Sequence, residues 1–135
     1  MNLTQLVDTT LKSFRQSVPD YVGSAVVDLT TGMLLGLDTV EDQPREIVDV
    51  MGAATADLFG GRTIRQIESM WQQHGGSPDD RPALQEVLIR SNGAVMLLLR
   101  SPYDDIVTAM ACRREVNIGM LLAQARQVQR ELGTA

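Results

Sequence analysis

The apolar positions of this chain change period several times, and each change marks an element. Leu3, Leu6, Val7, Leu11, Phe14 and Val18 recur at helical spacing, with Gln5, Asp8, Lys12 and Arg15 on the opposite side. This predicts an amphipathic helix over residues 2–17, ended by Pro19-Asp20. Residues 21–29 then read as a strand, Thr30-Thr31-Gly32 as a tight turn, and residues 33–37 as a second strand. Gly32 supplies the positive φ that such a turn usually needs. Val26-Val27 and Leu34-Leu35 are apolar at consecutive positions, so both faces of this hairpin should be covered.

Helical period returns from about Pro44 to Phe59. Ile47, Val48, Met51, Ala54, Thr55, Leu58 and Phe59 follow the i, i+3/i+4, i+7 template. Asp42 is the expected cap, and Pro44 falls in the first turn, where its missing N–H costs nothing. Gly60-Gly61 closes the helix. Ile64, Ile67, Met70 and Trp71 keep helical spacing to about Gln73, as a short second helix or a broken continuation of the first. Residues 75–80 are a loop by composition.

Residues 84–100 read as a second hairpin. Ser91-Asn92-Gly93-Ala94 carries the type I′ signal. A two-residue turn there pairs Arg90 with Val95, Ile89 with Met96 and Leu88 with Leu97. Val87, Ile89, Met96 and Leu98 then share one face; Leu88, Val95, Leu97 and Leu99 share the other. Both faces are apolar, so the sheet should carry helices on both sides. Ile106–Cys112 is a third apolar strand, suited to the middle of a sheet. Asn117 looks like a helix cap. Ile118, Leu121, Leu122, Ala125, Val128 and Leu132 form the inner stripe of a last helix, with Gln124, Gln127, Gln129 and Arg130 outside. The order is helix, two strands, helix with a short companion, three strands, helix. We expect one α+β domain spanning residues 1–135.

Composition narrows the function classes. The single Cys excludes an internal disulfide and a Cys-based metal cluster. Seven Met residues are many for this length, and Met adapts well to partner surfaces. The net charge of −5 is uneven. Residues 1–61 hold nine acidic and three basic side chains; residues 62–135 hold eight acidic and nine basic ones. An acidic, aromatic-poor chain is a poor candidate for nucleic acid binding. The asymmetry suits either a basic partner or plain solvated surface. Charged residues within the first helix argue against a signal peptide, and no run is long and apolar enough for a bilayer. A cytoplasmic protein without membrane insertion is the expectation.

Candidate chemistry is thin. His74 and Cys112 could be imagined as a nucleophilic pair, but Cys112 ends an apolar strand and His74 sits in a polar stretch with nothing to orient it. No Cys/His pair has zinc spacing. Asp79-Asp80 and Asp104-Asp105 are neighbouring carboxylates in loops, where solvation is the ordinary fate. Gly60-Gly61-Arg62-Thr63 lacks phosphate-loop spacing and follows a helix instead of a strand. Arg62, Arg65, Arg113 and Arg114 invite comparison with arginines supplied to a GTPase active site, against the simpler reading of surface charge. Trp71, beside Met70, is either a core anchor or an interface anchor. We expect no catalytic residues, cofactor or metal.

Several stretches together resemble the Roadblock family, the dynein-light-chain-type domain also found in bacterial regulators of Ras-like small GTPases. They are the hairpin Val22–Gly36, the alanine-bearing central helix, the hairpin Glu86–Arg100, and the strand-to-helix join Ile106–Arg126 with Asn117-Ile118-Gly119-Met120-Leu121. The resemblance implies a five-stranded antiparallel, profilin-like sheet with the first and last helices on one face and the central helix on the other. It also implies a homodimer in which central helices pair and edge strands join. Ile47, Met51, Ala54, Leu58, Met70, Trp71, Val87, Leu88 and Ile89 would line that seam or a partner surface. The stretch Gly60–Arg81 departs from the simplest members, which connect more briefly. An edge strand at residues 85–91, apolar and without Pro or Lys, independently favours pairing with its twin. The functional expectation is a non-enzymatic homodimeric adaptor or regulator binding a small GTPase or related signalling or motility partner. The rival is a small-ligand sensor, which would need a pocket with a few polar groups in the core.

Overall fold

The computed structural model describes residues 2–42, 45–74, 84–101 and 105–133. Its elements are α1 (Leu3–Ser17), β1 (Tyr21–Asp28), β2 (Leu34–Thr39), α2 (Arg45–Gly60), α3 (Arg62–Gln73), β3 (Glu86–Arg90), β4 (Ala94–Arg100), β5 (Ile106–Arg113) and α4 (Ile118–Gly133). The strands form one antiparallel sheet in the order β2-β1-β5-β4-β3. β5, apolar along most of its length, lies at the centre, as the sequence suggested. The α+β class, the strand count and the helix order match the sequence-based expectation.

Local chemistry explains the boundaries. Asn2 caps α1 through a reciprocal box: its Oδ1 accepts from Gln5 N–H at 2.9 Å, and Gln5 Oε1 accepts from Asn2 N–H at 3.3 Å. Asn117 Oδ1 accepts from Met120 N–H at 2.9 Å and starts α4. In the first turn, Asp28 accepts from the N–H and hydroxyl of Thr30 and the hydroxyl of Thr31, while Gly32 takes φ +74°. α2 presses on this turn so closely that a Cβ at Gly52 would sit 2.8 Å from the Gly32 carbonyl oxygen. Pro44 lies outside the described residues.

The β3–β4 register is the expected one: Arg90 opposite Val95, Ile89 opposite Met96, Leu88 opposite Leu97. Its turn, however, is not type I′, because neither Asn92 nor Gly93 adopts the left-handed backbone that type requires. Ser91 provides the alternative. Its Oγ accepts from the N–H groups of Gly93 and Ala94 at 3.3 and 3.2 Å, and its own N–H donates to Ala94 O at 2.9 Å.

The two faces of the sheet are filled unequally. On one, α1 and α4 close a core of Phe14, Val18, Val95, Leu97, Leu99, Met110, Cys112, Val116, Leu121, Ala125 and Val128, continued by Val7, Leu11 and Val26. Leu3 and Leu6, assigned to the α1 stripe by spacing, are exposed, while Val7, Leu11 and Phe14 further along are buried. Gln129, placed outside by spacing, is half-buried, and its Nε2 donates to Arg100 O at 2.8 Å. On the other face Phe59 of α2 packs on Leu98, Val107 and Ala109, with Leu29, Leu84, Val87, Ile89 and Met96 at the rim.

Candidate interaction surface

The apolar stripe of α2, read from the sequence as one broad face, divides into two. Gly52, Thr55 and Phe59 turn inward and are buried. Thr55 satisfies its hydroxyl by donating to Met51 O at 2.9 Å. Val50, Met51, Ala54 and Leu58 turn outward, and all four are exposed. Ile47 and Val48 belong to α2, but their side chains fall outside the described set.

Gly60 ends α2 and Gly61 caps α3, with Arg65 N–H donating to Gly61 O at 3.0 Å. The double glycine is thus a helix stop and restart. Thr63 makes no cap bond; Gly61 holds the cap position without a side chain. α3 buries no residue at all. Its apolar positions Ile67, Met70 and Trp71 are exposed, Trp71 by 54%. Of the two readings of Trp71, the core anchor therefore does not hold within the protomer. α3 is tied down by Glu68, whose carboxylate accepts from Leu84 N–H at 3.3 Å at the approach to β3.

Beside α2 the sheet is bare. Small residues of β1 and β5 (Gly23, Ala25, Ala109 and Ala111) floor a depression of about 210 Å³, walled by Leu34, Leu37, Met96 and Met51. It opens to solvent next to the outward stripe of α2. The remaining predicted interface residues divide by parity. Val87 and Ile89 are half-buried on the Phe59 face; Leu88 points the other way and is 40% exposed. β3 is an outermost strand, as expected. It is braced from α4 by Arg126, which donates to both Glu86 oxygens at 2.7 and 2.8 Å and holds that carboxyl below its ordinary pKa.

Among the described residues, Cys112 and His74 do not come together. Cys112 is fully buried under α4, and burial, reinforced by Asp20, pushes its thiol pKa up to about 11. His74 ends α3 and is exposed. Among the described residues no three His, Cys, Asp or Glu side chains are placed to hold a metal ion. Asp79, Asp80 and Asp104 lie outside the described residues, and Asp105 pairs with Arg100 at 2.6 Å. Arg62 and Arg65 begin α3, while Arg113 and Arg114 lie beside the β3–β4 turn, so the four arginines divide between two places. No described helix is long and apolar enough to cross a membrane.

Spacing alone did not reveal the polar tie at the other edge. Arg15 donates to Asp38 Oδ1 at 2.9 Å, and Tyr21 OH donates to Asp38 Oδ2 at 2.7 Å. Burial raises the Tyr21 pKa, a hydrogen bond from Ser24 works against this, and Asp38 reinforces it, so the phenol stays neutral. These partners are distant in sequence, and no local motif announces them.

Sheet order and helix placement are those of a Roadblock/LC7-type fold. A Roadblock/LC7 domain from Streptomyces avermitilis superposes with TM-score 0.66 at 13% identity, over 99% of this chain and 97% of that one. MglB of Myxococcus xanthus gives 0.70 at 9% identity over 99% and 96%, and the gliding protein MglB of Thermus thermophilus gives 0.68 at 9% over 99% and 91%. A profilin from Acanthamoeba castellanii matches more loosely, at 0.52. No family model matches the sequence, and no curated protein does. The likeness is one of fold, carried by structure and not by shared residues.

Proposed function

We propose that this protein is a homodimeric, non-enzymatic adaptor or regulator that binds a Ras-like small GTPase or a related signalling partner. One observation carries the reading: the outward stripe of α2 and α3 presents Met51, Ala54, Leu58, Ile67, Met70 and Trp71 to solvent beside a bare apolar depression. Contiguous apolar surface of this kind marks an interaction site. Trp and Met suit it, because large aromatics anchor interfaces and Met adapts to a partner. In the arrangement that the resemblance implies, α2 lies against α2 of a second copy and the β3 edges (Val87, Leu88, Ile89) join into one sheet. The depression favours a protein side chain over a metabolite, being smaller than the roughly 300 Å³ of an ordinary ligand pocket and lined by few polar groups.

Light scattering at high protein concentration tests the dimer. A dimer mass is expected, reduced to a monomer by Met51→Arg or Leu58→Glu with the fold intact; a monomeric wild type overturns the seam. The partner is tested by capture from cell lysate loaded with GDP or GTP, where a small GTPase retained in one nucleotide state supports the reading. Enrichment of a metabolite and no protein would favour the sensor alternative.

A further inference from the structure

The sheet has two edges, β3 and β2. The proposed seam uses β3. Whatever joins there, β2 remains the last strand at its own end of the sheet, and among the described residues it pairs only with β1.

The register identifies which of its backbone groups are free. Val40 N–H donates to Val22 O at 2.9 Å, and the pairs continue as Gly23–Thr39, Ser24–Asp38, Ala25–Leu37 and Val26–Gly36. Bonded and non-bonded pairs alternate along an antiparallel ladder. Val22–Val40, Ser24–Asp38 and Val26–Gly36 are therefore the bonded ones. Leu37 and Thr39 turn their N–H and C=O groups outward. Residues 34–39 contain no Pro and no Lys, two usual devices against strand addition, and the bulge of this pair lies at Val26/Val27, away from Leu37 and Thr39. Leu37 is 46% exposed, and both Leu37 and Thr39 line the apolar depression.

Charge selects the occupant. Glu41 and Asp42 follow the strand and are exposed. At the other end Asp28 is held ionised by the Thr30 and Thr31 donors. Lys12 and Arg15 of α1 offset part of this, but Arg15 is already bonded to Asp38. Residues 1–61 as a whole carry nine acidic against three basic side chains. Two β2 edges would repel each other. A β3 edge from another copy brings a surplus of only one positive charge, Arg90 and Arg126 standing against Glu86, well short of the acidic excess around β2.

We infer that the β2 edge takes up an extended, basic segment of a partner protein as an added strand, with alternate side chains on the face of Leu37 and Thr39. This rests on the sheet order and the register, not on the dimer. If the dimer forms, it carries two such edges, one at each end of the joined sheet.

The test titrates the full chain with a synthetic Lys-Val-Lys-Val-Thr-Val-Lys peptide, and with its counterpart carrying Glu at the Lys positions, while amide exchange is followed by NMR. The Lys peptide is expected to slow exchange at Leu37 and Thr39 at least about tenfold and to leave the β3 amides unchanged. The Glu peptide should do neither. Changing Glu41→Lys together with Asp42→Lys should weaken Lys-peptide binding about tenfold, as reversing two exposed charges allows. Thr39→Pro removes an outward N–H without breaking a ladder bond, and should abolish the protection at Leu37 with the circular dichroism unchanged. If that variant unfolds, the charge reversal alone decides. Equal binding of both peptides overturns the inference, as does no binding or protection at β3. Protection at Leu37 that grows with protein concentration in the absence of peptide also overturns it, because the occupant is then a second copy. Light scattering on the same samples separates the two proposals: a monomer protected at β2 keeps this one and removes the dimer.

Discussion

The two faces of the sheet are built from equally apolar strands and end up in different conditions. Under α1 and α4, Leu97, Met110, Cys112, Leu121 and Ala125 are each no more than 1% exposed, and the two helices meet over them. Under α2 a single large side chain, Phe59, does most of the closing, and the far half of the face is a bare floor of glycine and alanine. The first face is a finished core. The second resembles a core cut in half, which is the character of an obligate interface. The lesson is that an apolar strand face specifies only that something covers it, and which molecule does so is decided by helix length and placement.

Truncation on each face probes this difference directly. Phe59→Ala should have the largest effect, about 3–5 kcal/mol, because among the described side chains of α2 it is the one large residue packed into the sheet. Hydrogen exchange should show the loss concentrated in α2 and α3. Leu97→Ala on the closed face should cost about 2–5 kcal/mol in urea unfolding and lower protection through the whole sheet. A Phe59→Ala loss spread evenly over all elements would erase the distinction. The cap at Asn117 offers a finer probe of the closed face: Asn117→Ala should cost about 1 kcal/mol, detectable as a shift in the denaturation midpoint.

Two smaller effects complete the series. Met51→Arg should leave protomer stability within about 0.5 kcal/mol of the wild type, because the side chain already faces solvent. That value is measured in dilute samples, where any dimer has dissociated. The pair Glu86–Arg126 gives a pH dependence. The folded pKa of Glu86 lies below its ordinary 4.5, so its contribution is fully present above that value and is lost as the pH falls through the folded one. The pair is partly exposed and contributes up to about 1 kcal/mol. Glu86→Gln should flatten this part of the acid unfolding curve and leave stability at pH values above 7 lower by the same small amount.

Much of the fold was legible in the chain because its elements are written in period. The β3–β4 register followed from counting outward from Asn92-Gly93, and it held although the turn chemistry differed, since a two-residue loop sets the register whatever its φ values. The Asn2–Gln5 box is a local cap motif at residues three apart, ahead of the apolar stripe of α1. The division of the α2 stripe was not readable. Met51, Ala54 and Leu58 are as apolar as Phe59, and only the sheet's position, set by pairings between distant residues, sends them outward. The exposure of Trp71 was hidden for the same reason: periodicity shows that α3 has an apolar side, but nothing in it shows whether that side is met from within the chain. The free edge at β2 needed the ladder itself, since alternation of bonded pairs is invisible until the register with β1 is known.

The placement of β5 between β1 and β4 also constrains the order of events during synthesis. β1 leaves the ribosome early, yet its partner strand ends only at Arg113. Until then β1 and β2 exist as a hairpin whose inner edge is unpaired, and an isolated hairpin is marginal in water. The closed face waits longer still, because Leu121, Ala125 and Val128 come last. The nascent chain therefore carries no closed core until α4 has been made, and its folding is concentrated after that point. A truncation that removes α4 should accordingly behave as an aggregation-prone chain and not as a slightly weakened domain.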